Sequence, residues 1–176
     1  MKCLWLPLLV GSALISPVQA ETNSVSPTGF ISTFREEVKA APDDVWKAIT
    51  QLPRWWSDSH TYSGKAENMS VDLHAGGCWC ERWGDGQSVQ HGQVVWVQPG
   101  RVIRFFASLG PLQELAVNGV LTLVTSAQDG KTLLRMTYRV AGNADAGLDK
   151  LAPVVDQVLA VQYARLKSLA ETGKVP

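Results

Sequence analysis

One stretch of the chain decides the fold, and it reads Gly76-Gly77-Cys78-Trp79-Cys80-Glu81-Arg82-Trp83-Gly84-Asp85-Gly86, then His91-Gly92-Gln93-Val94-Val95-Trp96-Val97-Gln98-Pro99-Gly100-Arg101-Val102-Ile103-Arg104-Phe105-Phe106. Short runs rich in aromatic and β-branched residues are interrupted by glycine and proline, which is typical of antiparallel strands joined by turns. Side chains two residues apart share one face of a strand, so the aromatic rings gather on one side. The stretch predicts a curved sheet whose concave face is apolar and needs a cover.

The C-terminal region predicts that cover. From Leu148 onwards, apolar residues recur at helical spacing, with Pro153 near the start, and Gly173 is placed to end the helix. Upstream, residues 30–38 alternate as a first strand, and Pro42-Asp43-Asp44 has the composition of a helix start.

A second short helix or turn follows at residues 54–57, and strands are predicted from residue 69 to residue 140. Gln128-Asp129-Gly130-Lys131 is a hairpin signal between the last two strands. The predicted fold class is therefore α+β. A curved antiparallel sheet of about six to seven strands wraps around a long C-terminal helix, with two short helices after the first strand.

The first twenty residues have the pattern of a secretory signal. Met1-Lys2 is followed by an apolar run from Leu4 to Ile15, and small residues lead up to Ala20. We expect residues 1–20 to be a signal peptide cleaved after Ala20, which makes the protein periplasmic or secreted. The alternative is a retained anchor, although the run is shorter than the roughly 20 residues that a membrane span needs. Residues 21–29 are predicted to be a flexible tail, and residues 30–173 a single domain with no integral membrane segment.

Composition excludes several functions. Sixteen basic and sixteen acidic residues balance, and no basic stripe points to nucleic acid. No two histidines lie two or four residues apart, and no phosphate-binding loop or nucleophile elbow occurs, so neither metal nor cofactor is predicted. On a regular strand the Cβ atoms of Cys78 and Cys80 lie about 6.5–7 Å apart. A disulfide needs about 3.8 Å, so a bridge requires a bulge, which Gly76-Gly77 could supply.

Several motifs follow one another in a fixed order over residues 30–172. They are Pro42-x-x-Val45-Trp46-x-Ala48-Ile49, Trp55-Trp56, Gly76-Gly77-x-Trp79-x-Glu81-Arg82, Asp85-Gly86, Gly92-x-Val94-x-x-Val97-x-Pro99-x-Arg101, Leu109-Gly110-Pro111-Leu112-Gln113 and Asp156-x-Val158-Leu159-x-x-Gln162-x-x-Arg165-Leu166. In these motifs the chain resembles the SRPBCC (START-like, helix-grip) superfamily. The resemblance extends to the branch named for activators of the ninety-kilodalton heat-shock ATPase and to polyketide cyclase-like members.

The resemblance implies a cavity between the sheet and the C-terminal helix. Members of the superfamily bind lipids, sterols, polyketides or plant hormones there, and some are cyclases or hydrolases. Heat-shock ATPase activation is not expected, because that partner is cytosolic and this chain is expected to be exported. We expect a binder of a small hydrophobic molecule. The alternatives are a cyclase- or hydrolase-type enzyme with Glu81 as general acid, or a protein-interaction module with a filled core.

The residues expected to contact such a ligand are aromatic or polar and fall on elements that face the interior. On the strand of Trp79, the side chains of Trp79, Glu81 and Trp83 share a face, and the resemblance suggests that this face points inward. A buried Glu81 would have a raised pKa and could donate a proton or anchor a ligand. The structural alternative is a carboxylate paired with Arg101, Arg104 or Arg135. The full predicted set is Trp56, Trp79, Glu81, Trp83, Trp96, Phe105, Tyr138 and Gln162.

The catalytic candidates are Glu81 as the acid and His91, with His91 or Tyr138 in the assisting role. A histidine base needs an orienting partner, and the sequence shows none for His91. Tyr138 and Gln162 could hydrogen-bond a ligand oxygen, or each could satisfy a backbone group. The tryptophans could likewise form ordinary core rather than a ligand-stacking wall.

Overall fold

The computed structural model describes residues 21–128 and 131–176. Eight strands form one antiparallel sheet in the order β1-β2-β8-β7-β6-β5-β4-β3. Their bounds are β1 Glu21–Ser26, β2 Gly29–Val38, β3 Met69–Val71, β4 Cys78–Trp83, β5 Gln87–Gln98, β6 Val102–Phe106, β7 Asn118–Gln128 and β8 Lys131–Ala141. The helices are α1 Pro42–Thr50, α2 Leu52–Trp55 and α3 Leu148–Thr172.

The helices begin and end where the local chemistry favours it. Pro42 takes one of the first positions of α1, and Asp43 and Asp44 lie in its first turn, where acidic side chains favour the positive end of the helix dipole. Gly173 ends α3 in the left-handed conformation with a φ of 72°. Its backbone N–H donates to the carbonyl of Leu169, which satisfies one of the carbonyls left free at a helix end.

The core lies between the concave face of the sheet and α3. Along β8 every second side chain is buried, from Thr132 to Val140, which is the period that a half-buried strand requires. The ring of Phe34 on β2 stacks on Tyr163 of α3 with 5.4 Å between ring centroids. The Tyr163 hydroxyl donates to the carbonyl of Leu134 at 2.8 Å, so α3 is fixed against β8 by a buried hydrogen bond.

The helix-grip α+β class is confirmed, as are the two short helices and the long C-terminal helix. The sheet has one strand more than the upper expectation. Residues 21–26, predicted as part of a flexible tail, instead form β1 and pair with β2. The weak hydrophobic pattern of this segment hid the strand, because an edge strand contributes mainly backbone hydrogen bonds. The predicted signal peptide, and Asp129 and Gly130 of the predicted hairpin, lie outside the described residues.

Candidate functional site

An irregularity in the pairing of β4 with β5 creates the site. Trp79 pairs with Gly92 and Cys80 pairs with Gln90, so His91 is an extra residue on β5. His91 and Gly92 are consequently both buried, whereas a regular strand would turn one of them outward. Bulges of this kind redirect a side chain, and here the bulge directs the imidazole of His91 towards the interior.

Glu81 lies opposite this bulge and is fully buried. One carboxylate oxygen accepts the backbone N–H of Ser63 at 2.5 Å. The other accepts the N–H of Tyr62 at 3.1 Å and contacts Nε2 of His91 at 2.8 Å. The predicted alternative of an arginine partner is therefore wrong: within the described chain, the carboxylate interacts with the backbone amides of Ser63 and Tyr62, the side chain of Ser63 and the imidazole of His91.

These contacts determine the charge states of the pair. Burial alone raises the pKa of Glu81, but the hydrogen bonds from Ser63, Tyr62 and His91 outweigh it, and the pKa lies below its ordinary value. The expectation of a raised pKa is therefore wrong, because it counted burial without the donors. Burial lowers the pKa of His91, and the nearby carboxylate offsets this only in part. The pair is thus a carboxylate and a neutral imidazole whose Nε2–H donates to Glu81.

Aromatic rings surround Trp79, which is fully buried. Its ring stacks on His91 at 5.3 Å, meets Trp56 edge-on at 5.0 Å and lies 5.2 Å from Phe105. The indole Nε1 of Trp79 is buried and has no hydrogen-bond partner in the described part of the chain. An unpaired buried donor is costly, so this atom marks a place where an acceptor is missing.

Gln162 links α3 to the segment that covers this region. Its Oε1 accepts the N–H of Ser57 at 2.8 Å, and its Nε2 donates to Nδ1 of His60 at 2.7 Å. Trp56 Nε1 donates to the carbonyl of His60 at 2.8 Å. Gln162 is fully buried, as expected. The sequence left open whether it hydrogen-bonds a ligand or satisfies a backbone group, and in the structure it satisfies the N–H of Ser57.

Three predicted residues lie apart from this cluster. Trp96 is 44% exposed on the outer face of β5, with the guanidinium of Arg104 5.0 Å from its ring centroid, so its inward placement was wrong. The bulge between Val94 and Trp96 reverses the facing that simple alternation predicts. Trp83 is half-buried at the far end of β4, beside the turn that leads to β5. Tyr138 donates to the carbonyl of Ala107 at 2.9 Å and accepts another backbone amide, which makes it structural.

The space between sheet and helix is occupied by side chains. Trp55, Trp56, Trp79, Phe105 and Tyr163 are all buried there and in mutual contact through the core. Two pockets of the described residues, of about 330 and 380 Å³, lie elsewhere. The first is lined by side chains of β2 and β8, and the second by the turn between β4 and β5. The structure therefore presents the expected ligand region in a closed, filled form.

Cys78 and Cys80 form a disulfide, with 5.4 Å between their Cα atoms. The prediction that a bridge needs a bulge holds, but the irregularity lies at His91 on the neighbouring strand rather than at Gly76-Gly77. Reasoning on β4 alone could not locate it, because a bulge belongs to a pair of strands.

Sequence reasoning missed the covering segment, residues 57–66. Tyr62 supplies an N–H to Glu81 and holds its ring 5.7 Å from that of His91, while half of its surface remains exposed. Its hydroxyl donates to the carbonyl of Gly110 at 3.3 Å. The sequence offered one indirect signal for this segment, which is Glu81 itself. A buried carboxylate without a cationic partner must accept hydrogen bonds from N–H donors of a loop.

In the described residues no three His, Cys, Asp or Glu side chains meet in a way that could hold a metal ion. None of the described helices is long and apolar enough to cross a membrane.

The curved antiparallel sheet closed by a C-terminal helix defines the helix-grip α+β fold. No protein-family model and no curated protein matches this chain. Among solved structures, truncated norcoclaurine synthase from Thalictrum flavum is 13% identical with a TM-score of 0.59, over 90% of this chain and 99% of that chain. The Aha1 dimer from Colwellia psychrerythraea is 20% identical with a TM-score of 0.52, over 82% of this chain and 98% of that chain.

A third similar structure is the di-domain ARO/CYC StfQ from the steffimycin biosynthetic pathway. It is 11% identical with a TM-score of 0.55, and the match covers 84% of this chain and 52% of that chain. At such identities the likeness shows the shared fold.

Proposed function

We propose that this protein binds a small, largely apolar molecule that carries a hydrogen-bond acceptor, between the sheet and α3. One observation carries the proposal: the buried Nε1–H of Trp79 lacks an acceptor while aromatic rings surround it. Ligand sites are mostly apolar with a few placed polar groups, and this cluster has that composition. The names of the similar structures, a synthase and an ARO/CYC protein, support small-molecule chemistry on this fold.

Binding requires the filled interior to open, and Tyr62 is the side chain whose movement would best open it. Its ring lies over His91, it is half exposed, and its hydroxyl contacts at Gly110 and Gln113 are long, at 3.3 and 3.5 Å. Rotation of Tyr62 outward exposes the ring of His91 without breaking the backbone hydrogen bonds to Glu81. The expected ligand is flat, because the neighbouring rings of Trp79 and His91 already stack.

A second candidate function is acid–base catalysis of the cyclase or hydrolase type. It is favoured by the pair of Glu81 and His91, because the carboxylate supplies the orienting partner that a histidine base needs. Nε2 of His91 points at Glu81, which leaves Nδ1 as the proton-accepting atom. No hydrogen bond occupies Nδ1 in the described part of the chain.

Isothermal titration calorimetry against a panel of flat lipophilic molecules tests the binding proposal. Trp79→Phe removes the N–H but keeps a ring, and it should weaken binding about fivefold to tenfold, as loss of a hydrogen bond worth ~1 kcal/mol does. Trp96→Phe on the outer face is the matched control and should leave affinity unchanged. If no molecule binds the wild-type protein, the alternative of a protein-interaction module with a filled core replaces the proposal. If Glu81→Gln abolishes turnover of a bound molecule while retaining its affinity, the enzyme reading replaces simple binding.

The proposed setting is the periplasm or the secreted fraction, within the heat-shock-activator-like or cyclase-like branch of the superfamily. The disulfide between Cys78 and Cys80 supports export, because such bonds persist in oxidising compartments. An intact mass of the protein from its own host tests this, and a mature chain that begins at Glu21 is expected. A chain that retains Met1 in the reducing cytosol would contradict it.

A further inference from the structure

The disulfide between Cys78 and Cys80 encloses the residue at the centre of the candidate site. Trp79 lies between the two cysteines, and its ring points inward while the cysteines take the other side of the strand. The Cα atoms of the cysteines are 5.4 Å apart. In a regular strand this separation is about 6.4–6.8 Å, because each residue rises 3.2–3.4 Å. β4 is therefore shorter than a regular strand at Trp79, between the two bridged cysteines.

The shortening coincides with the bulge that positions His91. The register of β4 with β5 shifts between Trp79 and Cys80, which is the same pair of residues that the bridge spans. Trp79 stacks on His91 at 5.3 Å, and His91 contacts Glu81 at 2.8 Å. A change in the length of β4 at this point would act directly on these three side chains.

The two sulfurs differ in access. Cys80 is only 8% exposed, whereas Cys78 is half-buried. The strand pairing of β3 with β4 ends at Val71 and Trp79, and the N–H of Asp72 then donates to the carbonyl of Cys78 at 3.0 Å, so the backbone of Cys78 is held while its side chain keeps some exposure. Thiol–disulfide exchange depends on access to the attacked sulfur, and Cys78 is the reachable one.

We propose that Cys78–Cys80 is a thiol–disulfide exchange site whose redox state sets the position of Trp79 and its contact with His91. The co-reactant is a dithiol, of a small-molecule or a thioredoxin-like class. Its thiolate attacks Sγ of Cys78, the Cys78–Cys80 bond breaks, and its electron pair leaves on Sγ of Cys80, which takes up a proton. The second thiol of the co-reactant then attacks the mixed disulfide. Cys78 is released as a thiol, and the dithiol has lost two electrons and become a disulfide.

In the oxidised state the bridge holds Trp79 against His91. In the reduced state β4 relaxes towards regular spacing, and the ring of Trp79 shifts relative to the imidazole. The proposal does not depend on any ligand, so it stands or falls separately from the proposed function.

Dithiothreitol treatment of the full folded chain without denaturant, followed by alkylation and peptide mass spectrometry, tests the chemistry. Cys78 and Cys80 should both be labelled while circular dichroism stays native, and Cys3 is distinguished by its own peptide. The Cys80→Ser variant should form a mixed disulfide at Cys78 when its thiolate attacks oxidised glutathione and one reduced glutathione leaves. The Cys78→Ser variant should react about tenfold more slowly at Cys80, because access limits the attack. Reduction that occurs only as fast as global unfolding would overturn the exchange site.

Nuclear magnetic resonance of the His91 imidazole tests the coupling. Reduction should move its ring signals, and the double variant Cys78→Ser/Cys80→Ser should reproduce the reduced positions without any reductant. The ring signals of Tyr163, which packs on Phe34 and donates to Leu134 away from β4, serve as an internal control and should stay in place. Identical His91 signals in the oxidised, reduced and double-serine proteins would overturn the coupling, even if the cysteines exchange.

Discussion

Replacement of Glu81 by glutamine should destabilise the fold, even though the two side chains have nearly the same shape. The carboxylate accepts three hydrogen bonds, from the N–H groups of Ser63 and Tyr62 and from His91. Glutamine offers one acceptor oxygen in place of two. In either orientation of the amide, its NH2 group faces a backbone N–H that then has no acceptor.

The cost follows from that single unpaired donor. A buried polar group that loses its partner costs about 1–3 kcal/mol. We therefore expect the free energy of unfolding at neutral pH to fall by about 1–3 kcal/mol in Glu81→Gln, with an unchanged dependence on urea concentration. The pKa of Glu81 is lowered in the folded state, so this contribution is present above its ordinary value of 4.5 and is lost as the pH falls through the folded value. The difference between variant and wild type should shrink correspondingly in acid.

Urea denaturation followed by circular dichroism measures the effect. Glu67→Gln is the matched control, because Glu67 directly follows the covering segment, has a side chain that is 76% exposed and contacts Lys65 at 3.6 Å. An exposed pair of this kind contributes little, and the control should stay within about 0.5 kcal/mol of wild type. If Glu81→Gln is as stable as Glu67→Gln, the reasoning that Glu81 fastens the covering segment is refuted.

Two further outcomes are expected. Burial lowers the pKa of His91 in the folded protein. Below about pH 6.5 the unfolded chain therefore binds a proton at His91 that the folded imidazole does not bind. The free energy of unfolding should fall as the pH drops below 6.5, by at most about 1.4 kcal/mol per pH unit. Urea titrations should show a shallower fall in His91→Gln and the wild-type slope in the exposed His74→Gln, and equal slopes in all three would contradict the assignment. A Cβ at Gly119 would overlap the carbonyl oxygen of Ala107 and lie 2.6 Å from the hydroxyl of Tyr138. Gly119→Ala should therefore lower the free energy of unfolding by about 1–3 kcal/mol. An unchanged melting temperature would show that β7 and the segment of Ala107 can move apart freely.

The regular parts of the fold could be predicted from the sequence because their signals are periodic. The apolar spacing from Leu148 to Leu169 defines α3, and the glycine that follows it ends the helix where expected. Alternation likewise placed Trp79 and Glu81 on one face of β4, and the family resemblance gave the direction of that face. The same rule failed for Trp96, because the bulge after Val94 changes the facing of every later residue on β5. Register between strands is a property of two segments, and alternation within one segment does not contain it.

The chemistry of the site depends on that same kind of information. Glu81 was chosen because a carboxyl group on an apolar face is unusual, and its burial was expected from the resemblance, which turned that face inward. Its pKa moves in the opposite direction from the one predicted, because the donors come from Tyr62 and Ser63, in a loop with no sequence pattern of its own. His91 reaches the carboxylate only because an extra residue in β5 turns it inward. The residues of the candidate site could thus be selected from the sequence, whereas their protonation and pairing required the register of β4 on β5.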